Sequence, residues 1–258
     1  FTFNLFKKDS SFLNYETDIG LRFYHEGRNY FRLFWNAEAS DPISTLGQNI
    51  NNSDFAKFRK NYFGLGIFQN QLDKQLNPSS GLLFDVRLAY GNVRRWLKET
   101  DKNSELKAKL DMSFFISVSK SMTIHLRNQT AFINQYSGKK DSAGLFLTNE
   151  LFRIGGLNTL RGFDEESIFA HWYTVGTIEY RFLLDQGSSF YFFYDQAFYE
   201  AMYQNKQFVE DAPLGLGVGF HLSTPAGLLK INYAFGKQFD NPLDMRAGKI
   251  HLGISTRF

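Results

Sequence analysis

The chain has 258 residues, no cysteine and a formal net charge of only +3, and its 29 Phe and 13 Tyr lift the aromatic share to 17%. The missing cysteine excludes disulfides and thiolate metal sites, and the weak charge gives no argument for a nucleic-acid partner. No apolar run approaches the ~18 residues of a membrane helix, yet aromatic richness with a negative mean hydropathy is what one face in lipid and one in water produces. The sequence opens at Phe1, already strand-like, so a signal or upstream domain is expected to have preceded it.

Alternation predicts strands at about 1–7, 12–24 and 29–39. In the second, Tyr15, Ile19, Leu21 and Phe23 oppose Glu16, Asp18, Gly20 and Arg22. Strands at about 60–71 and 80–92 follow, the latter with Leu82, Phe84, Val86, Leu88 and Tyr90 against Asp85, Arg87, Ala89 and Gly91. A hairpin at 104–119 and 121–135 sets Leu110, Met112, Phe114, Ile116 and Val118 against Lys109, Asp111, Ser113 and Ser117. After a long segment at 138–170 come strands at about 172–184 and 189–199. Three more close the chain, the last with Ile250, Leu252, Ile254 and Phe258 on one face and Lys249, His251, Gly253 and Arg257 on the other. That makes about twelve strands, several close to the ~9–11 residues that cross a bilayer at a tilt.

The connections alternate in length, except that the one at 72–80 is long for the short side and the one near 8–11 is short for the long side. Those near 25–29, 120–121, 185–188 and 224–227 are short, and those near 40–59, 93–103, 138–170, 200–212 and 237–247 are long and polar, the pattern of an outer-membrane barrel. The expected fold is therefore all-β: one transmembrane antiparallel β-barrel domain over 1–258, with about 12 strands and both termini on the short-turn side. A soluble sandwich is the competing reading. The number of wholly apolar strand faces, tipped by aromatics such as Tyr90, Trp172 and Tyr233, argues against it.

Gly215-Leu216-Gly217-Val218-Gly219 superficially suggests a phosphate loop, but no helix follows. Its alternating glycines instead leave room on the inner wall, as Gly64, Gly66, Gly91, Gly236 and Gly253 do. His125, His221 and His251 point inward, and a lipase-type pair could be drawn from them with Ser223 or Ser255, but nothing marks one serine as activated. No catalytic residue, metal site or cofactor is assigned, and the chain is not expected to be an enzyme.

Within 150–171 lie Gly155-Gly156 and Leu160-Arg161-Gly162-Phe163. A buried arginine needs a partner, and the following strands offer inward carboxylates, Glu179 and Asp195, that suit a guanidinium fork. An exposed loop arginine is the alternative, and the residues alone leave the two open.

The Gly-Gly…Leu-Arg-Gly-Phe stretch resembles the loop motif of the BamA/TamA outer-membrane assembly superfamily, which also contains two-partner secretion transporters. Glu179, Asp195, the Pro225-Ala226-Gly227 turn, the Asn77-Pro78-Ser79-Ser80-Gly81 turn and the terminal aromatic all match that pattern, over roughly 60–258. The resemblance implies that loop 138–171 folds into the lumen. The tip Arg161, Gly162 and Phe163 would then lie against the wall, with Glu179 and Asp195 as the arginine's partners and Phe258 as a C-terminal sorting signal. It also implies location in the bacterial outer membrane with periplasmic termini, contact with outer-membrane lipids, and client outer-membrane proteins or accessory subunits as partners. Members usually have about sixteen strands and upstream polypeptide-transport-associated domains, so the chain is expected to be either a short member or one whose first strands lie outside it. The expected function is outer-membrane protein insertion, secretion or membrane remodelling. A passive pore and an outer-membrane phospholipase are the alternatives, and the oligomeric state, a homodimer included, stays open.

Overall fold

The computed structural model describes residues 2–8, 12–42, 57–96, 100–136, 145–184, 187–203, 207–225 and 227–255. Seven antiparallel strands precede the central loop: β1 (Thr2–Lys8), β2 (Phe12–Glu26), β3 (Asn29–Pro42), β4 (Lys57–Asn70), β5 (Gly81–Trp96), β6 (Thr100–Ser119) and β7 (Met122–Tyr136). Inside the loop, β8 (Phe152–Ile154) and β9 (Ile168–Ala170) form a separate two-stranded sheet. The wall resumes with β10 (Trp172–Leu183) and β11 (Ser189–Met202). It ends with β13 (Leu214–Thr224), β14 (Gly227–Lys237) and β15 (Lys249–Ser255), while the short β12 (Phe208–Asp211) pairs only with β11.

Among the described residues the wall is thus a meander of the twelve strands expected from alternation, each paired with its neighbour in sequence, β7 to β10 across the loop. Alternation underestimates their reach. β3, β5 and β11 run on to Pro42, Trp96 and Met202, and β4 and β6 begin at Lys57 and Thr100, all at the long-connection end. There the apolar face stops while backbone pairing continues. The segment 138–170 expected as a long connection holds β8 and β9, and the one at 200–212 holds β12, each too short to show a period of two. Phe258 lies outside the described residues.

The register carries one inner face around the sheet. Asn36, Tyr62, Gly91, Glu105 and Gln135 fall opposite one another on β3 to β7, and Thr177, Asp195, Gly215 and Gly236 do so on β10 to β14. The other face is apolar and exposed, with Leu21, Leu33, Phe63, Leu65, Ile178, Phe192 and Leu252 all outward. Exposed aliphatic and aromatic rows on nearly every strand are unstable in water and suited to lipid. The sheet curls around the loop: Asn14 on β2 donates to the Asn149 carbonyl (3.2 Å), and the Gly162 N–H donates to His251 Nε2 on β15 (3.1 Å). Among the described residues β1 pairs with β2 alone and β15 with β14 alone.

The apolar core lies inside the curl. Ile154, Leu160, Phe163, Ile168 and Ala170 of the loop pack on Val175, Ala197 and Tyr199 of β10 and β11. A second cluster joins Phe146 and Leu151 to Ile133 and Ala201.

Candidate functional site

The loop is shaped before it meets the wall. β8 and β9 pair Phe152 with Ala170 and Ile154 with Ile168, and between them the chain turns at Gly155 (φ 116°) and Gly156 (φ 91°). The Thr159 hydroxyl accepts from the Gly155 N–H at 2.8 Å, and the Gly156 N–H donates to the Leu160 carbonyl at 2.9 Å. The turn leaves Arg161, Gly162 and Phe163 at the side of the hairpin that faces the wall.

Arg161 is 5% exposed, and all three of its guanidinium nitrogens donate to carboxylates. Its Nε and Nη2 donate to the two oxygens of Asp195 (2.8 and 2.6 Å), and Nη1 donates to Glu179 Oε1 at 2.7 Å. Its backbone N–H also reaches Asp195 (3.2 Å), and the guanidinium lies 3.6 Å from the centre of the Phe193 ring. This two-toothed fork is the geometry an arginine offers and a lysine cannot. Burial works against the Arg161 charge, but Asp195 and then Glu179 outweigh it, so the guanidinium titrates above its ordinary range. Each carboxylate is held in turn. Thr177 donates to Asp195 at 2.8 Å, and Arg181 Nε donates to Glu179 Oε2 at 2.8 Å, with His125 Nδ1 3.0 Å from the same oxygen.

Gly162 has φ 92°, and a side chain there would meet the Phe235 carbonyl carbon at 2.6 Å. Across the contact, a Cβ at Gly215 would collide with the Arg161 carbonyl and one at Gly236 with the Gly162 carbonyl. The inner-face glycines have two uses: Gly215, Gly236 and Gly253 admit the loop, whereas Gly64, Gly91 and Gly219 make room for wall residues Phe34, Tyr62 and Tyr191. His251 accepts from the Gly162 N–H through Nε2, a role open only to its neutral form.

A second anchor, which sequence reasoning missed, holds the other end of the loop. Glu150 is buried, and Arg95 Nε donates to both its oxygens at 3.0 Å, with Lys60 Nζ 3.6 Å away. Lys60 also donates to Glu105 (3.0 and 3.1 Å), which accepts from Gln135 at 2.7 Å and from the Tyr62 hydroxyl. Burial pushes the Glu150 carboxyl up, but Lys60 and Arg95 outweigh it and hold it below its ordinary value. Beside it, the Asn149 amide donates to the Ser40 hydroxyl on β3 at 2.7 Å. The available signal was that Lys60 and Arg95 fall on inner positions, where buried cations need an acceptor.

The chemistry here is that of a brace. His221 Nδ1 lies 3.4 Å from Ser189 Oγ, but that hydroxyl donates to Asn77 Oδ1 (3.1 Å) and Ser189 is fully buried, so this serine is not presented to a substrate as a nucleophile. Among the described residues no group of three His, Asp or Glu side chains could hold a metal, and no helix is long and apolar enough to cross a membrane.

A curled antiparallel sheet with a lipid-suited outer face, its lumen filled by a loop held through buried ion pairs, defines a plugged outer-membrane β-barrel. A family model described as the Omp85 superfamily domain matches residues 3–258, and the chain belongs to that superfamily. Among solved structures it is similar to BamA from Haemophilus ducreyi lacking POTRA domains 1–3, with 14% identity, a TM-score of 0.64, and coverage of 93% of this chain and 53% of that one. The chain thus spans about half the length of that BamA chain, and at this identity the likeness is one of fold. A comparison with curated proteins gives no match.

Proposed function

We propose that this barrel inserts or translocates proteins at the bacterial outer membrane, without bond chemistry, and that its lumenal loop holds the wall in a working shape. The observation that carries the reading is the Arg161 fork on Asp195 and Glu179, opposed across the lumen by Glu150 on Arg95 and Lys60. A passive pore has no use for a lumen filled by a doubly anchored loop. The short turns face the periplasm, where unfolded clients and accessory subunits arrive. Strand edges in lipid must pair with each other or with an incoming strand, and such an edge supplies the working seam.

The test is reconstitution into lipid vesicles with an unfolded outer-membrane barrel protein as client. The expected result is client folding faster than in empty vesicles, an acceleration that Arg161→Ala reduces. Client folding no faster than in empty vesicles, together with steady ion conductance in planar bilayers, would replace this reading with a passive pore.

A further inference from the structure

The geometry points to a binding site for a phosphate-type oxyanion inside the barrel, in a cavity of about 90 Å³ between the loop tip and the short-turn end of β7, β10, β13 and β14. Four cations line it: Arg127, Arg161, Arg181 and Lys230. Three have carboxylates. Arg127 pairs with Asp111 (2.6 Å), Arg161 with Asp195 and Glu179, and Arg181 with Glu179 (2.6 Å). Lys230 has none among the described residues. Its cross-strand neighbours on the inner face are His221 and Gly253, so neither adjacent strand supplies an acceptor. Four positive charges thus meet three negative ones in a half-enclosed space, a focused positive potential that draws an anion.

Two further polar residues, His125 and Asn232, line the same cavity. His125 is 6% exposed, and its Nε2 finds no partner among the described residues. The Tyr191 hydroxyl donates to Asn232 Oδ1 at 2.6 Å, which leaves the amide nitrogen of Asn232 to donate to the cavity. Native interiors rarely leave several polar groups around one cavity unsatisfied.

Donor number selects the class of ligand. Lys230 and the Asn232 amide of β14 line the cavity together with those N–H groups of Arg181 and Arg127, on β10 and β7, that are not spent on Glu179, Asp111 and the Asn158 carbonyl, more donors than the two oxygens of a carboxylate can serve. The four oxygens of a phosphate accept from all of them. The volume holds several waters and so admits one phosphate group. Free phosphate, a phosphate monoester and the phosphodiester of a lipid headgroup share this chemistry, and all would enter from the short-turn end. The cavity needs the loop seated by its clamp, but the Lys230 test is separable from the proposed insertion activity, because Lys230 takes no part in that clamp.

The test is calorimetric titration of the whole chain in detergent with inorganic phosphate, at constant ionic strength set by chloride, and in parallel with glycerol phosphate and a short-chain phosphatidylglycerol. Saturable one-site binding is expected, weakened about tenfold or more by Lys230→Gln and retained by Lys230→Arg, since one charge-assisted hydrogen bond is worth that much. Heat-modifiable gel mobility checks that each variant is folded. If Lys230→Gln does not fold, acylation of Lys230 in the wild-type chain, read by mass spectrometry, gives the same answer and should be slowed by whichever of the three ligands binds and not by chloride. Binding of phosphate or the monoester assigns a soluble ligand, and binding of phosphatidylglycerol alone assigns a lipid headgroup. No binding of any of the three, or a folded Lys230→Gln that binds like the wild type, or acylation that none of the three slows, overturns the site.

Discussion

Truncating the loop arginine is the most informative single change. In Arg161→Ala, Asp195 keeps the Thr177 hydroxyl but loses its cation, and its side chain is fully buried. Glu179 suffers less, because Arg181 and His125 remain on it. The damage therefore concentrates on Asp195, an uncompensated buried carboxylate, at a cost of about 3–5 kcal/mol. Wall strands keep their backbone pairing, so the loss should appear as release of the loop before the barrel unfolds. The assay is urea unfolding in lipid vesicles together with limited proteolysis of loop 145–171. Asp195→Asn in the Arg161→Ala background removes the orphan charge and should restore about 2 kcal/mol as measured by a double-mutant cycle. An Arg161→Ala barrel with an unchanged unfolding midpoint and a loop as protease-resistant as the wild type would refute the reasoning.

Other parts of the fold give separate expectations. The Glu150 carboxyl sits below its ordinary value of 4.5 in the folded chain, so its anchor contributes in full above that value and is lost as pH falls through the depressed one. Amide exchange at residues 145–151 should accelerate on acidification beyond the intrinsic pH trend, and Glu150→Gln should show much of that acceleration already at neutral pH. Gly215→Val places a side chain against the Arg161 carbonyl and should cost about 1–3 kcal/mol, loosening the loop in the same proteolysis assay. Leu65→Arg puts a charge in the middle of the outer face of β4 and should destabilise the barrel by about 2–4 kcal/mol in vesicles.

The wall was legible because its physics is periodic. A lipid face and a water face impose a period of two, and Leu82 to Tyr90 against Asp85 to Gly91 displays it directly. Strand ends such as Arg94 to Trp96 were not legible, because beyond the lipid both faces are polar and pairing continues without alternation. β8, β9 and β12 hide for another reason: three or four residues hold no period, and their pairing comes from loop closure. Arg161 stood out by its chemistry, an arginine flanked by a left-handed glycine and an aromatic. Glu150 did not, since a lone glutamate has the same appearance in water as against Lys60 and Arg95. Its role depends on β4, β5, β6 and β7 converging, which requires the register.

The measurement closest to the central claim is a cross-link between loop and wall. The chain has no cysteine of its own, so Leu157→Cys with Gly253→Cys gives one defined pair, at positions where a side chain at Gly253 would touch Leu157. In native membranes a short bifunctional maleimide should join this pair efficiently, and adding Arg161→Ala should sharply reduce the yield. Absence of the cross-link in the otherwise wild-type chain, with the barrel folded and both thiols reactive, would mean that the loop is not seated in the lumen and would contradict the account.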